Sequence, residues 1–228
     1  MEKYLVIGNP IKHSLSPILH NYWFKAHNED AIYEKKKVEE VELEGLISNV
    51  KSGKISGINV TVPFKNSIIK YLDKLSIIAE KTQSVNTIFK TDGKVCGHNT
   101  DCEGFVLSLI QTKFKIEGKN AFILGAGGVT PSIIYSLKSK SISEIYVSNR
   151  TKQKAENLKK LFPEIKILDW GKKPNKFDII INTTSVGLKE NDKIDIDFLL
   201  ACWILISKEL PIGSPVQIRQ TPLPTKPA

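Results

Sequence analysis

The sequence holds few cysteines and none in a useful pattern. Cys96, Cys102 and Cys202 are an odd set of three, at spacings that match no metal-ligand motif. A disulfide scaffold and a metal site are therefore not expected, and reduced thiols in a cytoplasmic protein are. Long apolar runs are missing too. The longest, Phe198 to Ile206, is too short to span a bilayer. Met1-Glu2-Lys3-Tyr4 leads straight into a strand-like stretch with no apolar leader region, so no signal peptide is expected. There is also no basic stripe. The net charge is +9, but the lysines are scattered among acidic residues without interleaved aromatics. A nucleic-acid partner is not expected, although the excess charge helps attract anionic ligands. What remains is an ordinary globular composition, 41% hydrophobic and 25% charged over 228 residues, enough for one large or two small domains.

The chain is organised around Ala121-Phe122-Ile123-Leu124-Gly125-Ala126-Gly127-Gly128. Four mostly apolar residues predict a short buried strand, and Ile133, Ile134 and Leu137 beyond the glycines fall at helical spacing. Strand, glycine turn and helix together give a G-x-G motif its meaning. The backbone can approach a pyrophosphate closely, and the helix offers its N-terminus to the phosphate charge. The third glycine of the usual spacing would fall at Thr130, so the glycine turn alone is also compatible with an ordinary tight turn. The next strand, Ile145 to Ser148, ends in Asn149-Arg150-Thr151, with Lys154 one helical turn on. In a Rossmann unit this strand end meets the adenosine ribose, where an acid selects NAD. Here a guanidinium and an ammonium stand in its place, which suits a 2′-phosphate and hence NADP. Arg150 taken alone would equally be a solvated surface charge. Phe177 to Asn182 predicts another buried strand, followed by a polar loop at 182–187 that includes Thr183, at the strand end where the cofactor is expected. Alternating strands and helices from about 119 to 187 argue for a parallel sheet.

Upstream, Tyr4 to Ile7 reads as a first strand, ended by Gly8-Asn9-Pro10. Ser16 before Pro17 is a plausible helix N-cap, and Ser14 and Ser16 together form a hydroxyl pair suited to a small polar substrate. Ile58 to Val62 is a β-branched strand with Asn59, Thr61 and Lys65 clustered at its end. Lys65 reads as a proton-transfer group or as a solvated lysine at a helix start. Ile68, Ile69, Leu72 and Leu75 predict a helix, and Asp92-Gly93 predicts a hairpin turn. The return strand ends in Asn99-Thr100-Asp101, where Asp101 is a candidate helix cap.

These segments, taken in order, resemble the shikimate dehydrogenase family. The resemblance rests on GNPIKHSLSP at 8–17, NVTVPFK at 59–65, VNT at 85–87, NTD at 99–101, GAGG at 125–128, NRT at 149–151 and NTTSVG at 182–187. It implies an α/β protein with an N-terminal substrate domain (1–100), an NADP-binding Rossmann domain with a parallel sheet (101–200) and a cleft between them. It implies reversible, NADPH-dependent reduction of 3-dehydroshikimate to shikimate in aromatic amino-acid biosynthesis. By motif, Lys65 and Asp101 correspond to the catalytic pair. Ser14 and Ser16 correspond to carboxylate contacts, and Thr61, Asn86 and Asp101 to hydroxyl contacts. Gly125, Ala126, Gly127 and Gly128 correspond to the pyrophosphate loop, with Asn149, Arg150, Thr151 and Lys154 at the 2′-phosphate. The expected partners are small molecules, without nucleic acid or membrane, for a cytoplasmic monomer or homodimer.

Two departures stand out. Val129-Thr130-Pro131 replaces the family's small and basic residues after the glycines. After about Phe198 the family pattern stops, and 201–228, with five prolines among them Pro211 and Pro227, is expected to be a divergent, irregular tail. A quinate/shikimate dehydrogenase and a catalytically impaired NADP-binding protein stay open as alternative readings.

Overall fold

The computed structural model describes residues 1–184, together with the backbone of Cys202–Leu205 and Ile218–Arg219. Contacts divide the chain into two units, Met1–Cys102 and Glu103–Ala228. The division falls inside a helix, Asp101–Gln111.

The first unit contains β1 (Glu2–Gly8), α1 (Ser16–Ala26), β2 (Ala31–Lys37), α2 (Leu43–Lys51), β3 (Gly57–Val60), β4 (Lys74–Leu75), α3 (Ile77–Thr82), β5 (Thr87–Thr91) and β6 (Lys94–His98). Its sheet runs β2-β1-β3-β5-β6-β4. β1 pairs in parallel with β2 and β3, whereas β5 is antiparallel to both β3 and β6. The two-residue period of β1 sorts its side chains onto two faces. Leu5 and Ile7 join Leu43, Leu46, Ile47 and Val50 of α2 in one core, while Val6 joins Ile11 and Tyr33 in another. The four α2 residues recur at helical spacing, and burying each contributes about 1.5–3 kcal/mol. Asp92 and Gly93 both take positive φ, 50° and 75°, which closes β5 and β6 as a two-residue hairpin.

The expected helix over Ile68 to Leu75 does not form. A 3-10 turn spans Ser67–Tyr71, and Lys74 and Leu75 instead pair with Cys96 and Gly97. Asp73 fixes this arrangement, its Oδ2 accepting from the Val95 amide at 2.8 Å. A partner 22 residues away thus overrides the local apolar spacing.

The second unit begins within α4 (Asp101–Gln111) and continues through β7 (Asn120–Leu124), α5 (Thr130–Ser139), β8 (Glu144–Ser148), α6 (Lys152–Leu161), β9 (Lys166–Leu168) and β10 (Ile179–Asn182). The strands β11 (Cys202–Leu205) and β12 (Ile218–Arg219) follow. Its sheet runs β12-β11-β10-β7-β8-β9, parallel except for the β11–β12 pair. Of the expected irregular tail, β11 and β12 are strands, and its other residues lie outside those described. Ala121 and Ile123 pack under α4 and α5 with Phe105, Leu109, Ile133 and Leu137. Phe122 and Leu124 face the opposite side with Ile180. The chain winds outward from β7 to β8 and β9, then returns to place β10 on the other side of β7. Ligands of such sheets bind at the carboxyl ends of the strands beside this reversal. Among the described residues no helix is long and apolar enough to cross a membrane.

Candidate active site

In the first unit, the chain beyond β1 and the chain beyond β3 cross at a glycine. A Cβ on Gly8 would sit 2.5 Å from Thr61 Cγ2 and 3.0 Å from the Val62 carbonyl oxygen. The Thr61 amide donates to the Ile7 carbonyl and the Asn9 amide to the Val62 carbonyl, each at 2.9 Å. Only glycine permits this approach, which brings Thr61 and the 9–16 loop to the same end of the sheet.

Buried Phe64 anchors the residue before Lys65, and the Lys65 carbonyl accepts from the Val85 amide at 2.7 Å. Lys65 is thereby tied next to Asn86. Lys65 Nζ donates to Asp101 Oδ2 at 2.6 Å, with the side chains 12% and 22% exposed. Asn86 Nδ2 donates to the other carboxylate oxygen of Asp101 at 2.9 Å, and its Oδ1 accepts from the Thr100 amide at 3.0 Å. The structure therefore joins Lys65, Asp101 and Asn86 in one half-buried cluster. A charge-assisted bond this short, with little solvent around it, is stronger than a surface ion pair.

Ser14 and Ser16 lie together at the start of α1, but not with the expected cap. Leu15 is the N-cap and makes no side-chain cap bond. The helix starts one residue earlier than the sequence implied. Ser16 is then its first residue, and its amide donates to Ser14 Oγ at 3.4 Å. The Ser16 hydroxyl instead interacts with the Tyr33 phenol. Asp101 is the first residue of α4, with its amide held from outside the helix. That amide donates to Asn99 Oδ1 at 2.9 Å, and the fully buried Asn99 is fixed in turn by Thr82 and the Ser84 carbonyl.

In the second unit, Gly125 has φ +107°, and a Cβ there would meet Thr183 Oγ1 at 2.6 Å. A side chain is excluded both by the backbone conformation and by space. A Cβ at Gly127 would meet only the Thr183 carbonyl, at 3.6 Å, so the outer part of the turn is open. The Gly125 amide donates to the Ser148 carbonyl at 2.8 Å, and the Ala126 amide donates to Asn149 Oδ1 at 3.0 Å. Asn149 Nδ2 reaches the Thr151 carbonyl at 2.8 Å. Asn149 thus shapes the glycine turn from the end of β8. Arg150, Thr151 and Lys154 are exposed, and among the described residues neither Arg150 nor Lys154 forms an ion pair. The open glycine turn at the strand reversal and these two solvated cations suit a dinucleotide carrying a 2′-phosphate.

Thr183 differs from the others. Its hydroxyl donates to the Leu124 carbonyl at 2.9 Å and lies 2.9 Å from Thr130 Oγ1, both side chains being buried. Thr130 Oγ1 also lies 3.3 Å from the Gly125 carbonyl. The two hydroxyls lock α5 and the end of β10 onto the glycine turn, so Thr183 serves the turn's shape. Thr130 occupies the position where the third glycine was looked for, and nothing in the local pattern announced it as a partner of Thr183. Residues 185–187 of the expected polar loop lie outside those described.

Comparison with known proteins bears on this geometry. Residues 6–88 match the family model described as the shikimate dehydrogenase substrate binding domain, and residues 108–190 match that described as shikimate / quinate 5-dehydrogenase. A shikimate dehydrogenase (NADP(+)) of Pelagibacter ubique is 57% identical over 195 residues, covering 86% of this chain and 73% of that protein. A crystal structure of shikimate dehydrogenase from Aquifex aeolicus superposes with a TM-score of 0.80 at 35% identity, covering 89% of this chain and 78% of that one. A Thermus thermophilus shikimate 5-dehydrogenase, solved in complex with NADP(H) and shikimate, gives a TM-score of 0.73 at 31% identity, covering 82% and 70%.

Proposed function

The chain belongs to the shikimate dehydrogenase family, and from that premise we propose that it interconverts 3-dehydroshikimate and shikimate with NADP(H), using Lys65 and Asp101 as its proton-transfer pair. The observation that carries this reading is the 2.6 Å contact between Lys65 Nζ and Asp101 Oδ2, with Asn86 bound to the second carboxylate oxygen.

Bound NADPH supplies a hydride to the carbonyl carbon of the substrate. As that carbon becomes tetrahedral, negative charge builds on its oxygen. Lys65, as ammonium, stabilises the charge and delivers the proton that completes the hydroxyl. Asp101 holds the ammonium in place, and in the reverse direction a neutral Lys65 takes the hydroxyl proton. Ser14 and Ser16 are suited to the substrate carboxylate, and Thr61, Asn86 and Asp101 to its hydroxyls. Gly125 to Gly128 would receive the pyrophosphate, shaped by Asn149. Arg150 and Lys154, with Thr151 beside them, would take the 2′-phosphate. In this reading Met1–Cys102 carries the substrate, and the unit that follows carries the dinucleotide. The buried thiols of Cys96 and Cys102, neither of them in a disulfide, support a cytoplasmic setting.

The test is the absorbance of reduced nicotinamide during incubation with shikimate and NADP⁺, with NAD⁺ and quinate as controls. Turnover with shikimate that prefers NADP⁺ is the expected result. NADP⁺ binding without any turnover would point to the impaired-scaffold alternative.

A further inference from the structure

Tyr33 lies on β2, is not among the residues assigned above, and is only 3% exposed. The residue is held at both its backbone and its ring. The Asn21 side chain clamps its backbone, accepting from the Tyr33 amide at 2.9 Å and donating to the Tyr33 carbonyl at 2.8 Å. The imidazole of His20 stacks on the ring, with centroids 4.2 Å apart and planes within 5° of parallel. The phenol is the free end of a fixed group, and it donates to Asn59 Oδ1 at 2.6 Å.

From that point a continuous set of hydrogen bonds leads to the Lys65–Asp101 pair. Asn59 Nδ2 donates to the Asn86 carbonyl, which can only accept, and to Thr87 Oγ1, each at 3.2 Å, which leaves Oδ1 to the phenol. Thr87 Oγ1 accepts there and donates its own proton to Asn86 Oδ1 at 3.0 Å. The Thr100 amide also donates to Asn86 Oδ1, at 3.0 Å, so Asn86 presents Nδ2 to Asp101 Oδ1 at 2.9 Å, and Asp101 Oδ2 receives Lys65 Nζ at 2.6 Å. An amide has a donor end and an acceptor end, and here both ends of Asn59 and of Asn86 are engaged. The chain runs one way, from the Tyr33 hydroxyl to the Lys65–Asp101 pair, and aligned bonds of this kind reinforce one another.

We propose that Tyr33 is a positioning residue for the reaction: as a rigidly held donor it fixes Asn59, and Asn59 braces Asn86 through its backbone carbonyl and Thr87, which keeps the Asn86 amide in place on Asp101. Burial pushes the phenol's pKa up, against a smaller opposing effect of its hydrogen bond with Ser16, so Tyr33 stays a donor across the working pH range. The same phenol contacts Ser16, and so ties the serine pair at α1 to the Asn86–Asp101 end of the site.

The inference rests on the proposed role of the Lys65–Asp101 pair. The experiment compares the wild type, Tyr33→Phe, Asn59→Leu, the double variant and Tyr22→Phe, an exposed phenol on α1 that serves as the control. In Tyr33→Phe the expected result is a fall in kcat of about tenfold with KM within about twofold, since small misplacements of a reacting group act on turnover. Adding Tyr33→Phe to Asn59→Leu should cost nothing more, because the chain is already broken. Side-chain amide signals of Asn86 in ¹⁵N-labelled protein should move in Tyr33→Phe and stay put in Tyr22→Phe. A Tyr33→Phe variant with wild-type kcat, or one whose loss is confined to thermal stability, overturns the inference alone. A wild type that neither turns over nor binds shikimate overturns the reading of the pair and this inference with it. If the wild type binds without turnover, the Asn86 signals decide.

Discussion

Removing the hydroxyl of Thr130 is a sharp test of how the glycine turn is held. Thr130→Val keeps the shape of a fully buried side chain and deletes only its hydrogen bonds, to Thr183 Oγ1 at 2.9 Å and toward the Gly125 carbonyl at 3.3 Å. A net intramolecular hydrogen bond is worth about 0.5–1.5 kcal/mol, and a buried acceptor left short adds to the loss. The sum is about 1–2 kcal/mol, offset slightly by the extra methyl. Thr183→Val should cost a similar amount. The Leu124 carbonyl that it abandons keeps the Thr183 amide at 2.7 Å, and Thr130 keeps only its longer contact. The two single variants delete the same shared bond, so the double variant should fall short of their sum by about 1 kcal/mol, within the usual range for contacting residues. Thermal melts read this as a drop of about 2–8 °C for each single variant. Because the carbonyls involved flank the turn, NADP⁺ titration should show each single variant binding about threefold to tenfold more weakly, a change of up to about 1.4 kcal/mol. Strict additivity of the two changes, or an unchanged NADP⁺ affinity, would refute the argument that these hydroxyls shape the turn.

Two further outcomes are expected. Lys65→Met should lower kcat by about 10²–10⁴-fold, the range for loss of a proton-transfer group, while leaving NADP⁺ affinity within about twofold; single-turnover and binding measurements separate the two, and near-normal turnover would remove Lys65 from the chemistry. His20 is held mainly neutral, because burial lowers its pKa from the ordinary value of 6.5. As pH falls through about 6.5 the unfolded chain takes up the proton first, so His20's contribution is present above that pH and is lost as pH falls through the folded pKa. The urea midpoint should therefore drop between neutral and mildly acidic pH, and His20→Phe, which keeps a ring on Tyr33, should drop less; parallel losses would count against this account.

The sequence was most informative where the signal is local. The apolar run 121–124, its glycines and the helical spacing beyond them specify strand, turn and helix within a few residues, and each element formed as expected. The Asp92-Gly93 hairpin was equally legible, since only a few residue types tolerate two successive positive φ values. Reading failed where a distant partner decided. Leu72 and Leu75 have helical spacing, yet Asp73 and Gly97 draw that segment into the sheet. Ser14 and Ser16 gave the start of α1, but the register of its first turn depends on which hydroxyl is already engaged elsewhere. Tyr33 carried no signal at all, because its role depends on Asn59, 26 residues on, and only the pairing of β2, β1 and β3 makes them neighbours. Asn99 was visible within a motif, but its work is to receive a backbone amide, and nothing in its sequence context announces that.

The β5–β6 hairpin behaves like a pair of tongs. Asn86 precedes one arm and Asp101 follows the other, with Thr87 paired to His98 at the open end. The gap between these two groups is set by the register of a single ladder, and the closed end at Asp92-Gly93 lies about 17 Å away along five residues of strand. That tip is exposed, and among the described residues nothing lies within 4 Å of a Cβ placed on Gly93. It is therefore the natural handle for the engineer: a fluorophore, an affinity tag or a short inserted peptide could be grafted there while the jaws keep their spacing.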